Sequence, residues 1–297
     1  TDEHCVRLNG RAVSAKSWVI ATGSSAAVPP VPGLDRTPFL TNREIFYLDR
    51  LPASMIVLGA GPIGVEMSQA FARLGTRVTV VDMGHQILAK EDRDMADELK
   101  AVLAAEGVVF HLNCTIEAVQ DLGRVREVRI RTADRKTLTL AAEVILVALG
   151  RAANVGGLGL TPIGVEHDLR GIQVDPRLRT TQKHIYAAGD VNGGPQFTHA
   201  AGYEGGIVVS NAVFRLPRRV NYTYLPWCTY TDPPLASIGM NEKAAKAAGI
   251  GYTVWTEEFR DNDRSLAEGE GVGKIKLLLD AQEKPIGIQI LGHGAGD

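Results

Sequence analysis

The sequence has little cysteine, and the thiols that it has lie far apart. Its 297 residues include three cysteines, Cys5, Cys114 and Cys228. Their odd number and wide spacing indicate neither a disulfide framework nor a zinc site, so we expect no metal centre. Redox catalysis by thiols needs a nearby resolving cysteine, so each is interpreted as an ordinary thiol and no catalytic residue is assigned. The same cysteine usage predicts a reducing, cytoplasmic setting.

A strong net charge and long apolar runs are also lacking. The formal charge of −2 gives no electrostatic reason to expect nucleic acid or a membrane surface as a partner. No stretch approaches the ~20 apolar residues that a membrane-spanning helix needs. The chain opens with polar residues rather than with a secretory signal. We therefore expect neither nucleic-acid binding nor membrane association.

Glycine and apolar residues are abundant instead. The 32 glycines and the 45% hydrophobic content are typical of an α/β protein with many turns, and the length suits roughly two domains. The most informative glycines lie between residues 54 and 82. The predicted elements there are, in chain order, a buried strand Met55–Leu58, the GxGxxG glycines Gly59, Gly61 and Gly64, a helix Pro62–Leu74 ended by Gly75, and a strand Val78–Val81 followed by Asp82.

Each part of this pattern suits the binding of a dinucleotide. Gly59 allows the tight turn, Gly61 lets the backbone approach a pyrophosphate, and Gly64 lets the helix pack closely on the strand. The N-terminus of the helix offers free N–H groups and the positive end of its dipole to phosphates. Asp82 stands where a carboxylate accepts hydrogen bonds from the adenosine ribose. A glycine-rich turn in another kind of α/β unit is the alternative interpretation.

The same carboxylate bears on the choice between NADH and NADPH. Asp82 would repel a 2′-phosphate, and the following Met83-Gly84-His85 offers no Arg or Lys to bind one. The pattern therefore favours NADH, while His85 or a distant Arg leaves NADPH open.

The remaining sequence predicts further strands and helices around this unit. They are a strand Ser17–Gly23, an amphipathic helix Glu91–Glu106, antiparallel strands Thr115–Val119, Val125–Arg131 and Lys136–Leu140, and a buried strand Glu143–Gly150; an α+β region from Tyr222 follows, with a helix capped by Asn241 and ended by Gly249, and strands Tyr252–Phe259, Gly273–Leu279 and Ile286–Leu291.

A second group of polar residues follows a short strand near residue 185. The strand Ile185–Ala188 delivers Gly189-Asp190 to its carboxyl end, the usual ligand edge of a parallel sheet. Thr198 is the predicted N-cap of a helix running toward Phe214, and the free N–H groups of that helix can stabilise negative charge on an electron-rich ring. From local sequence alone, Asp190 could equally be a turn residue and His199 a solvated helix-start residue.

Five motifs in this order resemble the class I pyridine nucleotide–disulfide oxidoreductases, the family of dihydrolipoamide dehydrogenase and mercuric reductase. The motifs are Ala21-Thr-Gly23, Gly59-Ala-Gly-Pro-Ile-Gly-Val-Glu66, Ala148-Leu-Gly-Arg with Asn154, Ile185-Tyr-Ala-Ala-Gly-Asp190 and Thr231-Asp-Pro-Pro-Leu-Ala-Ser-Ile-Gly239. The resemblance implies a Rossmann-like NAD-binding domain (51–150) inserted in a partial FAD-binding domain (1–50 and 151–221), followed by a partial α+β dimerisation domain (222–297). Both ends of the chain are expected to be truncated.

The resemblance also implies which positions bind the two cofactors. Those matching the family's NAD site are Gly59, Gly61, Pro62, Ile63, Gly64, Glu66, Asp82, Met83, Val119 and Gly150. Those matching its FAD site are Thr22, Gly23, Arg151, Gly189, Asp190, Thr198, His199 and Ala200, with Asp190 on the ribityl chain and the residues from Thr198 beside the flavin ring.

The activity implied is that of an FAD-dependent NAD(H) oxidoreductase passing hydride between NADH and flavin. It would work as a homodimer on a small-molecule or dithiol substrate. The family's redox CxxxxC pair and its C-terminal His–Glu pair are not in this sequence, and His293 does not correspond to the latter. The sequence as written is therefore expected not to carry out thiol–disulfide exchange. A flavin NADH oxidase or diaphorase and a non-catalytic NAD-binding homologue are the alternatives.

Overall fold

A computed structural model describes residues 4–297 of the chain. Its strands are β1 (Cys5–Leu8), β2 (Arg11–Ser14), β3 (Trp18–Ile20), β4 (Ser24–Ala26), β5 (Ser54–Leu58), β6 (Arg77–Val81), β7 (Val109–His111), β8 (Thr115–Asp121), β9 (Arg126–Arg131), β10 (Thr137–Ala142), β11 (Val144–Val147), β12 (Arg151–Ala153), β13 (Ile185–Ala187), β14 (Trp227–Thr229), β15 (Leu235–Gly239), β16 (Thr253–Glu258), β17 (Lys274–Leu279) and β18 (Pro285–Leu291). Its helices are α1 (Pro62–Arg73), α2 (Arg93–Ala105), α3 (Thr198–Ala212), α4 (Glu242–Ala247) and α5 (Asp263–Glu268).

The described chain divides into two compact units, and the first contains the residues up to Ser25 and Arg151–Tyr222. In it β1 and β2 form an antiparallel hairpin, β3 pairs in parallel with β13, and β4, at the edge of the unit, pairs with β12. Leu160, Ile172 and Ile185 form part of its apolar core. The strand β13 is buried throughout, so its carboxyl end is held firmly at residues 188–190.

The second unit contains Ala26–Gly150 and Thr223–Asp297. Its centre is a four-stranded parallel sheet of order β11-β5-β6-β7. The strand β5 lies inside this sheet, and its residues from Met55 onward are buried, as its continuous apolar run predicts. An antiparallel three-stranded sheet of order β10-β9-β8 and a five-stranded antiparallel sheet of order β14-β15-β18-β17-β16 complete the unit.

The α/β fold class and the predicted order of elements are confirmed, with bounds that shift by a few residues. The helix predicted to end at Leu74 ends at Arg73, with Gly75 at φ +101° just after it. Asn241 caps α4 as predicted, because its side chain accepts the N–H of Ala244 at 2.9 Å. The elements that the sequence analysis did not predict are the β1–β2 hairpin, β4, β7, β12 and α5.

The predicted capping of α3 is wrong. The helix begins at Thr198 itself, and the residue before it, Phe197, has the extended N-cap conformation and makes no capping hydrogen bond through its side chain. Thr198 therefore lies in the first turn rather than at the cap. The helix ends at Ala212 instead of continuing to Phe214.

The chain passes between the two units at three places. These places are 25/26, 150/151 and 222/223, while the domain boundaries at 50/51, 150/151 and 221/222 stay predictions. Residues 26–50 belong to the second unit because Leu34 and Ile45 are buried in its apolar cores. As an assignment of cofactor-binding domains, the four-part division stays a prediction.

A buried lysine lies between carboxylates in the second unit. The side chain of Lys276 on β17 is 2% exposed, and its ammonium lies 2.8 Å from Asp94, 3.1 Å from Asp92 and 2.5 Å from Glu242. Burial lowers the pKa of Lys276, but its hydrogen bonds to Asp94, Glu242 and Asp92 outweigh this and hold the pKa above the ordinary value. The ammonium is therefore fully charged at neutral pH.

Acid is expected to destabilise the second unit by protonating Glu242. The hydrogen bond from Lys276 lowers the pKa of Glu242 to about 2, whereas a glutamate in the unfolded chain has a pKa of about 4.3. Because the folded-state pKa is depressed, the stabilisation is complete above about pH 4.3 and is lost as the pH falls toward about 2. Urea unfolding at a series of pH values measures this loss. Lys276→Met lacks the ammonium and should show a shallower decline, and equal slopes for both proteins would contradict the expectation.

Within residues 4–297, no helix is both long and apolar enough to cross a bilayer.

Candidate functional site

The glycine-rich turn after β5 has the shape that its spacing predicts. Gly59 takes φ +109°, and its N–H donates to the carbonyl of Val81 at 2.8 Å. A Cβ on Gly59 would clash with the carbonyl oxygen of Ala148, and one on Gly64 would clash with the carbonyl oxygen of Gly59. Glycine is thus required at both positions by close backbone approach, as the sequence analysis predicts.

The second glycine of the motif, Gly61, faces open space. A Cβ on Gly61 would have no atom within 4 Å, and the φ of −74° and ψ of −179° suit any residue. Gly61 is the N-cap residue of α1 and supplies no side-chain cap, and Pro62 takes the first helical position. The backbone N–H groups in the first turn of α1 therefore face open space, and no side chain caps them. A methyl group at residue 61 would reduce that space. This space fits the pyrophosphate of a dinucleotide.

Asp82 closes the turn at the end of β6. Its carboxylate accepts the N–H of Ala60 at 2.6 Å through one oxygen and the N–H of Gly84 at 2.5 Å through the other. These bonds fix the half-buried carboxylate beside the turn. Met83 follows with 70% of its surface exposed and can be covered by a ligand.

The other residues predicted to bind NAD differ in their exposure and in their hydrogen bonds. Glu66 in α1 accepts the N–H of Tyr230 at 2.8 Å, and burial raises the pKa of its carboxyl despite that bond. The side chain of Val119 is 4% exposed and packs in the core, so only its backbone can meet a ligand. Gly150 takes φ +116° and accepts the N–H of Ala27 at 2.9 Å. Ile63, in the first turn of α1, is partly exposed.

In the first unit, Asp190 lies directly after the strand β13. Gly189 takes φ +77°, and the Asp190 carboxylate accepts a hydrogen bond from the hydroxyl of Ser24. Arg151 lies 3.5 Å from the same carboxylate oxygen and donates to Ser24 at 2.6 Å. Both contacts of the carboxylate use Oδ2, so Oδ1 is left for a ligand hydroxyl.

The segment after β3 is fixed by one asparagine. Asn154 donates from its side chain to the carbonyl of Thr22 at 2.8 Å and from its backbone to the carbonyl of Gly23 at 2.9 Å. The hydroxyls of Thr22 and Ser25 donate to Asn154 in return. The structure thus brings Thr22, Gly23, Arg151 and Asp190 into one hydrogen-bonded group within the first unit.

The N-terminus of α3 carries the remaining predicted FAD residues. The rings of Phe197 and His199 stack with centroids 5.4 Å apart, and Ala200 is fully buried. Because the helix has no side-chain cap, its first N–H groups and the positive end of its dipole can meet a negatively charged group. The uncapped start fits an electron-rich ring better than the predicted Thr198 cap would.

Glu204 is a site residue that the sequence analysis missed. It is fully buried on α3 and accepts hydrogen bonds from the Gly189 N–H at 2.6 Å, the Asn192 side chain at 2.6 Å and the Tyr222 hydroxyl at 2.5 Å. Burial and the Glu204 carboxylate raise the pKa of Tyr222. Glu204 therefore fixes the Gly189-Asp190 turn to α3. Its signal in the sequence is that it is the one acidic residue of this helix.

The cysteines have the properties of ordinary thiols. All three are free, and burial, aided by the charges of Glu66 and Glu91, raises the pKa of Cys228 to about 11. Burial also raises the pKa of Cys114. Both shifts disfavour the nucleophilic thiolate at neutral pH.

One group of carboxylates has the spacing of metal ligands. Oxygens of Asp92, Asp94 and Glu242 lie within 4.8 Å of one another. The ammonium of Lys276 bonds to all three, so the protein supplies its own cation there.

Comparison with known families agrees with this geometry. The profile described as "Pyridine nucleotide-disulphide oxidoreductase" matches residues 1–205. The profile described as the dimerisation domain of the same family matches residues 225–297.

Individual relatives of the chain are named as two kinds of enzyme. A mercuric reductase of Bacillus cereus is 35% identical over 298 residues, covering 100% of this chain and 47% of the relative. A dihydrolipoyl dehydrogenase of Chlorobaculum tepidum is 35% identical over 290 residues, covering 96% of this chain and 61% of the relative. The chain thus spans about half the length of the curated relatives that it matches.

A solved structure extends the likeness to the whole described fold. The HOCl-induced flavoprotein disulfide reductase RclA from Escherichia coli superposes with a TM-score of 0.88 at 29% identity, over 99% of this chain and 68% of that one. In this family, FAD and NAD(P) are the cofactors, in agreement with the cofactors predicted from the motifs. With its glycine-rich turn, its Asp190 group and its C-terminal sheet in the family's order, the chain belongs to the pyridine nucleotide–disulphide oxidoreductases.

Proposed function

We propose that this chain binds NAD(H) at the glycine-rich turn and FAD at the Asp190 group and the start of α3. It would do so as part of an FAD-dependent NAD(H) oxidoreductase of the disulfide reductase type. The observation that carries the proposal is the uncapped start of α1 behind Gly61, where open space lies beside a turn that Asp82 holds in place. The free amides and the closed turn provide the anion site that a pyrophosphate needs.

The chain's own residues would bind and orient the two cofactors. Oδ1 of Asp190 would accept a hydrogen bond from a ribityl hydroxyl. The contacts with Arg151 and Ser24 would fix that carboxylate. The first turn of α3 would stabilise negative charge on the ring. When bound, the nicotinamide and the flavin supply hydride transfer.

NADH is proposed as the preferred nucleotide. Both oxygens of Asp82 accept backbone N–H groups, which fixes the carboxylate beside the proposed place of the adenosine ribose. A fixed negative charge there repels a 2′-phosphate.

The relatives support a proposal for the electron acceptor and for the assembly. Mercuric reductase and dihydrolipoyl dehydrogenase are the names of proteins 35% identical to this chain, so a disulfide, which is reduced to a dithiol, or a metal ion is the proposed acceptor class. The match to a dimerisation domain over residues 225–297 supports a homodimer. The cytoplasmic setting stays a prediction from the cysteine usage.

Gly61→Ala tests the nucleotide site. The new methyl group meets no protein atom, so the thermal midpoint should stay within about 2 °C of wild type. The methyl group would occupy pyrophosphate space, so the Kd for NADH should rise about tenfold or more. Calorimetric titration of both proteins measures this.

Gly251→Ala is the matched control, because its Cβ also meets open space but lies away from the turn. Its Kd for NADH should equal that of wild type. Unchanged binding by Gly61→Ala, or no binding by wild type, would refute the proposed nucleotide site.

A further inference from the structure

Ala60, within the glycine-rich turn, is held from both sides. Asp82 accepts its N–H at 2.6 Å, and the N–H of Leu88 donates to its carbonyl at 2.8 Å. Leu88 takes φ +47°, a left-handed conformation that is strained for a residue other than glycine. Its side chain is 3% exposed and packs in the core. A strained residue persists only where its surroundings hold it, so the loop of residues 82–92 is firmly constrained.

The far end of this loop is bound to the five-stranded sheet. Glu91 is 4% exposed, and its carboxylate accepts hydrogen bonds from Trp227 Nε1 at 2.6 Å, Ser237 Oγ at 2.8 Å and Gln289 Nε2 at 2.5 Å. A buried carboxylate with three donors is costly to disturb, because removing it leaves those donors unpaired.

The donors form one row across the sheet. Trp227 lies opposite Ser237, Ser237 lies opposite Gln289, and Gln289 lies opposite Lys276. We call these four residues the polar row. Its first three members bind Glu91, and Lys276 binds the adjacent Asp92.

Hydrogen bonds within the loop and from the region of α4 hold its C-terminal part in place. Gln86, 1% exposed, donates to the carbonyl of Glu91 at 3.0 Å. Asn241 donates to the carbonyl of Lys90 at 2.7 Å, and Lys243 donates to that of Ala89 at 3.0 Å. The loop therefore acts as one rigid connection from the polar row to the glycine-rich turn.

We propose that Glu91 is a positioning residue for dinucleotide binding, which fixes the 82–92 loop to the polar row and so holds Leu88 against Ala60. The C-terminal sheet is then a structural part of the nucleotide site. This rests on the proposed function, because it requires NADH to bind at the glycine-rich turn. It also makes Trp227 a natural reporter, since its indole N–H contacts the loop directly.

Glu91→Ala in the full chain tests the proposal. At a temperature well below unfolding, the Kd for NADH should rise about tenfold, measured by titration calorimetry. Without NADH, the amides of residues 83–92, Leu88 included, should exchange with deuterium faster than in wild type, by mass spectrometry. NADH should change the tryptophan fluorescence of wild type, and Trp227→Phe should remove most of that change.

Two further variants separate positioning from stability. Leu278→Ala empties a fully buried apolar site in the same sheet and leaves in place the donors that bind Glu91, so it should lower the thermal midpoint and leave both the Kd and the loop exchange unchanged. Glu91→Gln should bind NADH within about threefold of wild type, because the Gln289 amide can rotate to offer its unpaired Oε1 to the new NH₂.

Each outcome of these measurements either supports or overturns the proposed role of Glu91. A raised Kd and faster loop exchange in Glu91→Ala alone support the proposal. Wild-type affinity and exchange in Glu91→Ala, or equal losses in Leu278→Ala, overturn it. Should Glu91→Ala fail to fold, Trp227→Phe removes one donor and keeps a smaller aromatic side chain in its place, and an unchanged Kd and loop exchange in that variant also overturn it. If the wild type binds no NADH, the proposed function itself is refuted. If the wild type and every variant bind NADH equally well, only the positioning role of Glu91 is overturned.

Discussion

Replacing Lys276 by methionine is expected to lower the free energy of unfolding by about 3 kcal/mol. The methionine fills most of the volume but leaves Asp92, Asp94 and Glu242 without their shared cation. Asp92 is 3% exposed, so water cannot replace the ammonium there, and the carboxylates then repel one another. Urea unfolding at neutral pH, followed by circular dichroism, measures the loss.

Lys246→Met is the matched control. It removes the same charge from the same neighbourhood, but the Lys246 side chain is 67% exposed in its ion pair with Glu242. Exposed pairs of this kind contribute about 0–1 kcal/mol, so this variant should be close to wild type. Similar small effects for both lysines would show that the buried carboxylates do not depend on Lys276.

Gly64→Ala is expected to destabilise the chain by about 2–3 kcal/mol and to abolish measurable NADH binding. Its Cβ would lie far inside the van der Waals distance of the Gly59 carbonyl oxygen and 3.4 Å from Val57 Cγ1. Neither neighbour can yield, since one is backbone and the other is a buried core side chain. The helix α1 must then move away from β5, which displaces the amides that face the phosphates.

The comparison with Gly61→Ala makes this expectation specific. Both variants add one methyl group to the same turn, but that at residue 61 meets open space. Thermal unfolding should therefore separate them, with a lowered midpoint for Gly64→Ala only, while NADH titration should show weakened binding for both. A stable Gly64→Ala would mean that close packing of helix on strand is not needed here.

The dinucleotide turn could be predicted because its information is local. From Met55 to Asp82 the buried strand, the glycines, the helix and the second strand are contiguous in the chain. Glycine was required where backbone meets backbone, and the structure shows that contact at Gly59 and Gly64. The Asn241 cap was equally local, because its partner Ala244 is three residues away.

Charged residues in strands and helices were less predictable. In β17, alternation places Lys276 on the same face as Leu278, and both are buried, although a lysine normally marks the solvent face. Thr198 was predicted as a cap from its residue type, but the turn of the backbone before α3 places Phe197 at that position.

The sequence by itself determined the family, the α/β elements and the residues of the glycine-rich turn, because spacing along the chain encodes them. Only the tertiary structure decided the roles of Glu91, Glu204 and Lys276. The hydrophobic periodicity of the sequence indicates which face of an element is buried, but not which polar group packs against that face. Glu91 meets donors that lie 136 to 198 residues further along the chain, and only the folded sheet brings those donors into one row.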